Sequence, residues 1–337
     1  MGDNQMEIHT CPYAIDPTGR DVHAEAAMLR ARGHATQVQL PGGVIAWMIT
    51  GYTLIKRLLT DPRVSRDSYQ HWPAWENGEG ELAKTWSLAI WVADRNMMTA
   101  YGTEHSRLRK LVVKAFNARS TAVLRPRVEQ ITADLLDDMA EAGRYGRPVD
   151  LRASFAYALP TQVISELLGI PEDLRPTLLR LVHGIFDTTL TPEEAEANVV
   201  ALYDTMATLL EIKRADPGED LTTSLITVRE GGDGLTEREL IDTLLLAFTA
   251  GHETTVNLLD HAVYAMLTQP DQLAMVRSGE ATWEDVTEET LRWQAPLVNM
   301  PLRFAVEDIE IDDDVTIPAG DPILVSFGAA GRTARRG

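Results

Sequence analysis

The sequence holds a single cysteine, Cys11, among 337 residues. One cysteine excludes an intramolecular disulfide framework and every zinc or iron–sulfur site built from several thiolates. It leaves room for one metal–thiolate bond. Positive charge is also scarce: 31 Lys and Arg face 50 Asp and Glu, a formal net charge of −19. A nucleic-acid binder needs a concentrated basic surface, so no nucleic-acid partner is expected. No apolar run reaches about 18 residues, so no membrane span is expected. The opening residues 1–10 are polar and lack the apolar stretch of a secretory signal. A cytoplasmic enzyme or binding protein is the expectation.

What remains is the composition of a folded globular chain, 45% hydrophobic and 24% charged. The length suits one large domain or two smaller ones. No repeat, low-complexity stretch or linker divides it, so residues 1–337 read as a single domain. Residues 37–40 and 44–49 are strand-like around Pro41-Gly42-Gly43, the pattern of a β-hairpin. Residues 51–60 suit a short helix stopped by Asp61-Pro62. Residues 68–99 are rich in Trp and Gly and weakly periodic. They read as a long irregular segment with short helical turns, a common lining for binding sites.

From residue 103 to 279 the pattern is almost wholly helical. Helices are expected over 104–116, 121–142, 153–168, 174–187 and 192–214. An unusually long helix over 236–268 follows, closed by Gln269-Pro270. Two more cover 272–278 and 283–293. After Pro296 the period shortens, and strands are expected over 303–311, 315–317 and 322–327. The fold class is mainly α with small β-sheets.

Four motifs carry chemistry, each with a plainer alternative. In the middle of the long helix stands Ala250-Gly251-His252-Glu253-Thr254-Thr255. Gly and paired Thr are poor helix formers there. An acid and an alcohol beside a small-residue gap could relay protons, or the hexamer is a polar patch on a packed helix. A zinc protease reading fails, because the second His would have to stand where Val256 is. Glu289 and Arg292, spaced i, i+3, could pair on one helix face, as could several similar pairs elsewhere. His105 and Arg109, spaced i, i+4, could grip an anion or belong to an exposed basic face with Arg107, Lys110 and Lys114. Arg303 opens Arg303-Phe304-Ala305-Val306-Glu307-Asp308, and its fork could meet a carboxylate or lie on a surface edge.

The order of these motifs, completed by the turn Ile317-Pro318-Ala319-Gly320, resembles the cytochrome P450 family of haem-thiolate monooxygenases, above all its soluble bacterial type. The resemblance runs from about Thr10 to Arg332. It implies haem b as cofactor and insertion of one oxygen atom from O2 into a small apolar substrate. It implies electrons from NAD(P)H through a ferredoxin and a ferredoxin reductase. His105, Arg109 and Arg303 would hold the haem propionates. Ala250 and Gly251 would leave room for dioxygen, Thr254 would hydrogen-bond it, and Glu253 would pass protons inward. Met98 would touch haem, while Met97, Ala247 and Val298 would touch substrate. Glu289 and Arg292 would form a buried structural pair behind the haem. The basic cluster at Arg107, Arg109, Lys110 and Lys114 would dock an acidic electron carrier.

One departure stands out. The family ligates iron through a cysteine in a loop F-x-x-G-x-x-x-C-x-G, and the 337 residues contain no such loop. Phe327-Gly328-Ala329-Ala330-Gly331 resembles its start, but its spacing from Ile317–Gly320 matches an earlier strand. The family pattern fails at Thr333. The expectation is a P450 domain lacking the cysteine loop and the following helix, through a frameshift or premature stop. Cys11 is a poor substitute, so no metal ligand is assigned. These 337 residues alone are expected to be inactive. The alternative function is a non-catalytic remnant, pseudoenzyme or helical binding module.

Overall fold

A computed structural model describes residues 11–116, 118–187 and 189–332. The opening residues 1–10 and the tail after Arg332 lie outside the described residues. A helical body packs against a sheet at one side. The strands are β1 (Tyr13–Ala14), β2 (Ala35–Gln39), β3 (Ile45–Ile49), β4 (Val64–Ser65), β5 (Asn299–Ala305), β6 (Ile309–Glu310), β7 (Thr316–Ile317) and β8 (Pro322–Ser326). Six of them form one sheet in the order β1-β2-β3-β8-β5-β4, and β6 and β7 form a separate ladder. The β2–β3 hairpin is antiparallel, as its turn residues suggest, and β3 runs parallel to β8.

The long helix is Glu237–Thr268. Thr236 caps it: its hydroxyl accepts from the Glu239 N–H, and Glu239 reaches back to the Thr236 N–H. Pro270 opens the next helix, Pro270–Ser278, and ends this one. At 32 residues it is about 48 Å long, enough to cross the domain. Leu240, Ile241, Leu244, Leu245 and Phe248 bury its first half among Leu111, Val112, Leu181, Leu202 and Met206. That makes it the central helix of the main core. A second core stacks Trp72 on Trp75 and Phe304, with ring centroids 5.7 and 5.3 Å apart.

Several boundaries differ from the sequence reading for definite reasons. The expected helix over 153–168 is a π-helical turn, Arg152–Ala156, followed by an α-helix, Ala158–Leu167. The restart puts Pro160 in a first turn, where its missing N–H costs no hydrogen bond. The strand expected from Arg303 begins at Asn299 instead, with a register shift between Met300 and Arg303 around Pro301. Proline in a sheet belongs at such bulges. Residues 68–99 carry four short helices, Ser68–His71, Pro73–Gly78, Glu81–Thr85 and Ile90–Ala93. The helices Val22–Arg32 and Leu221–Thr227 were not foreseen. Cys11 is exposed, two residues before the edge strand β1.

Candidate functional site

The hexamer Ala250–Thr255 lies within the central helix, as its sequence position implied. Phe248, Thr249, His252 and Val256 are buried, whereas Ala250 is exposed in mid-helix. The Thr254 hydroxyl donates to the Ala250 carbonyl, and the Thr255 hydroxyl donates to the Gly251 carbonyl at 2.9 Å. Such back-bonding uses the hydroxyl hydrogen and leaves the oxygen's lone pairs to accept. Ala250 and Thr254, one turn apart, therefore share an open face with an acceptor oxygen on it.

Gly251 also meets a neighbouring helix. A Cβ added there would stand 3.1 Å from Ile164 Cδ1. Its lack of a side chain lets the helix Ala158–Leu167 cross closely, so its role is helix packing.

Glu253 points toward two histidines. Its Oε1 lies 3.6 Å from His252 Nδ1 and 4.0 Å from His183 Nδ1. Its side chain is 15% exposed, that of His183 76%. His252 holds the Glu253 carboxyl below its usual range, against the opposing effect of burial. The His252 ring packs edge-on to Tyr157 and stacks on Phe248. Its Nε2 lies 2.9 Å from the Thr161 hydroxyl, which itself donates to the Tyr157 carbonyl at 2.7 Å. The hydroxyl has one hydrogen, so Nε2 must be the donor to it. Nδ1 faces Glu253 without a hydrogen bond, and the ring attracts that carboxylate only when both nitrogens carry a proton. His183, Glu253 and the central helix form a line from surface to interior suited to proton entry.

A second group lies where β4 meets β5. The antiparallel register pairs Val64 with Ala305 and Ser65 with Phe304, which sets Arg66 opposite Arg303. Opposed residues share a sheet face, and like charges there repel. Both Nε atoms are buried without a hydrogen-bond partner, as is Nδ1 of His71. Burial and the neighbouring Arg303 charge push the Arg66 guanidinium down to about 9, and burial also lowers that of Arg303. The Arg66 contact is Nη1 to the Met300 sulfur, 3.8 Å. Two facing guanidiniums, each with a buried and unpartnered Nε, are costly unless an anion joins them.

The helix Gly102–Ala115 starts beside this group, since Tyr101 packs edge-on to His71 at 4.9 Å. His105 is half-buried one turn later, and Arg109 is exposed one turn beyond. The expected basic docking face is thinner than the sequence implied. Arg107 is bound by Glu104, Asp233 and Glu239, and Lys114 by Glu230. Arg109 and Lys110 remain exposed.

Met97 and Ala247 pack against the main core together. Met98 is half-buried, its N–H donating to Asn96 Oδ1 at 2.8 Å. Val298 accepts from the Gly328 N–H at 3.1 Å and crowds the space where a Gly328 Cβ would be. Glu289 and Arg292 do pair, at 2.5 and 2.6 Å. The pair is not buried, however: its side chains are 62% and 41% exposed. The helix Trp283–Trp293 turns Val286 and Thr290 inward and leaves the pair on another face. Arg292 also donates to the Gly331 carbonyl, tying this helix to the segment after β8.

Sequence reasoning missed Arg66 and His71. The available signal was an arginine directly after the apolar-polar pair Val64-Ser65, a short strand beside the tryptophan-rich segment.

No protein-family model matches the chain. It is 42% identical over 322 residues to the 2-hydroxy-5-methyl-1-naphthoate 7-hydroxylase of Streptomyces carzinostaticus, covering 96% of this chain and 78% of that protein. It is 38% identical to the cytochrome P450 monooxygenase PikC of Streptomyces venezuelae, covering 96% and 73%. The solved structure of CYP154A1 from Streptomyces coelicolor A3(2) superposes with a TM-score of 0.89 at 49% identity, covering 95% and 79%. The chain belongs to the cytochrome P450 family. P450 enzymes are haem-dependent oxidoreductases that take electrons from NAD(P)H through redox partners. The mainly helical fold with small sheets is the P450 fold. Among the described residues, no helix is long and apolar enough to cross a membrane.

A P450 haem fits this structure at the buried cations. Its two propionates match the number and sign of charge that Arg66 and Arg303 lack. The one cysteine of the 337 residues, Cys11, is exposed beyond the sheet edge.

Proposed function

We propose that this protein is a haem monooxygenase that inserts one oxygen atom into a small apolar substrate. The observation that carries the reading is the opposed pair Arg66 and Arg303, each with an orphaned buried Nε. Arg66, His71, Arg303 and His105 hold the propionates, and Arg109 adds charge at the rim. Haem bound there supplies the iron that activates dioxygen. Thr254 offers an acceptor oxygen toward the same space, and Ala250 keeps that space free. Glu253 passes protons inward from the His183 side, its carboxylate being ionised at rest. Met97, Met98, Ala247 and Val298 form apolar walls. The curated relatives, a hydroxylase and a monooxygenase by name, support the reaction class. A ferredoxin, reduced by its reductase, docks at Arg109 and Lys110.

One observation favours a second reading for the 337 residues taken alone. Cys11 is their sole thiol, and it is exposed away from the buried cations. We infer that Cys11 would not ligate haem iron, so haem held by these residues alone would lack a thiolate ligand and would not support hydroxylation. Haem titration followed by reduction under CO tests both readings. Binding with no red-shifted thiolate Soret band is expected. A thiolate-type band overturns the second reading, and failure to bind haem overturns the first.

A further inference from the structure

Away from the cation group, a half-buried carboxylate, Asp94, meets a fully buried one in the helical body. Asp242, on the central helix, is fully buried. Its Oδ2 accepts from the Arg95 N–H at 2.6 Å and from Arg238 Nε at 2.7 Å. Its Oδ1 takes the Tyr203 hydroxyl, which comes from the helix Pro192–Ala215. The same hydroxyl oxygen lies 3.3 Å from Asp94 Oδ1. Asn96, also buried, joins both acids: its Nδ2 donates to the Asp242 carbonyl at 3.3 Å and to Asp94 Oδ2 at 3.5 Å. A hydroxyl has one hydrogen, and the short contact to Asp242 uses it. The Asp94 contact is then attractive only if Asp94 carries a proton and donates it to the Tyr203 oxygen.

We propose that Asp94, Tyr203 and Asp242 form a proton-held latch that fastens residues 90–98 to the central helix and to the helix Pro192–Ala215. The charged and titratable groups facing Asp94 are Asp242 and Arg238 from the central helix and Tyr203 from the other. Arg95, its neighbour, spends its guanidinium on the Tyr69 ring, 3.3 Å from the centroid. With Asp94 protonated, Asp242 and Arg238 cancel. With Asp94 ionised, a second and half-buried negative charge stands beside the first, and the latch is pushed open. Burial and the Asp242 charge accordingly raise the Asp94 carboxyl well above its ordinary value.

The fastened segment matters because it carries Trp91, Met97 and Met98. Trp91 packs edge-on to Phe186, 5.0 Å away, near the end of the helix Arg175–Ile185. Opening the latch would free one wall of the apolar core and admit substrate there. Only that last role rests on the proposed function. The latch itself needs no haem.

The sign follows from linkage. An acid raised in the closed state favours closure at low pH, and closure weakens as pH climbs from the ordinary carboxylate range toward the raised value. Hydrogen exchange of a peptide covering residues 91–98 tests this on the full chain, from pH 6 to pH 8.5. A peptide from Trp283–Trp293 serves as internal control. The ratio of the two rates should rise with pH by up to about tenfold per unit, the limit for one proton released per opening. In Asp94→Asn, which mimics the protonated acid, the ratio should stay low and flat. A flat ratio in the wild type overturns the latch, as does an Asp94→Asn ratio that follows the wild type. Should Asp94→Asn fail to fold, the wild-type ratio decides alone. Tyr203→Phe then adds a second reading: it should raise the ratio already at pH 6, and an unchanged ratio counts against the latch. A protein that fails to bind haem yet shows this pH-dependent ratio would sink the proposed function and leave the latch standing.

Discussion

Arg66 and Arg303 face each other across β4 and β5, and the Nε of each is buried without a hydrogen-bond partner. In the haem-free protein this arrangement is a cost. Replacing either with Met should stabilise the haem-free chain by about 1–3 kcal/mol, the usual penalty of a buried unsatisfied polar group. Urea unfolding of Arg66→Met and Arg303→Met checks this. Destabilisation by either would show that the guanidinium already has its partners.

Gly251 permits a close helix crossing. Gly251→Val should cost about 1–3 kcal/mol through overpacking against Ile164. Adding Ile164→Ala should recover part of the loss, so a double-mutant cycle should show coupling. Additive losses would contradict the packing role.

Glu253 has a depressed carboxyl value. Its contribution to stability is therefore present above the ordinary carboxylate range and is lost as pH falls through the depressed value. Between pH 6 and pH 3 the wild type should lose up to about 1 kcal/mol more than Glu253→Gln. The readout is the urea midpoint against pH. Parallel curves would mean that His252 and His183 do not engage the carboxylate.

The basic residues of the helix Gly102–Ala115 divide in two. Arg107→Glu should destabilise the fold, because Glu104, Asp233 and Glu239 all converge on Arg107. Arg109→Glu should leave stability within about 0.5 kcal/mol of wild type, as exposed substitutions do. It should instead weaken binding of an acidic ferredoxin, in a salt-dependent manner, as measured by titration in low and high salt. Equal ferredoxin binding by wild type and Arg109→Glu would remove the docking proposal.

Burial at Phe248 anchors the central helix under His252. Phe248→Ala should cost about 3–5 kcal/mol. A loss below 1 kcal/mol in thermal or urea melts would place the core elsewhere.

Local signals in the sequence located the elements that have their own grammar. The helices expected over 236–268 and 283–293 open where expected, and the structure shows capping boxes, Thr236 with Glu239 and Thr282 with Asp285, at their starts. Pro270 ends the central helix as its chemistry requires. The hairpin followed from Pro41-Gly42-Gly43. Long-range pairing was not legible. Arg66 adjoins a two-residue strand, too short for any periodicity, and it gains meaning only from the β4–β5 register. Burial of a motif was not legible either. Glu289 and Arg292 pair as their spacing suggests, yet on an exposed face, because spacing fixes neighbours on a helix and says nothing of what covers them. Gly251 also meets Ile164, a contact set by helix crossing and invisible along the chain. Likewise, Arg107 and Lys114 read as free charge until the fold brought Asp233, Glu239 and Glu230 to them.

The central claim is that Arg66 and Arg303 wait for the propionates of a haem. The direct measurement is titration of the wild type and of Arg66→Met/Arg303→Met with haem and with haem dimethyl ester, whose propionates are masked. The wild type should prefer haem by at least about tenfold, the worth of one charge-assisted hydrogen bond, and the double variant should bind both alike. Equal affinity of the wild type for haem and its ester would contradict the account.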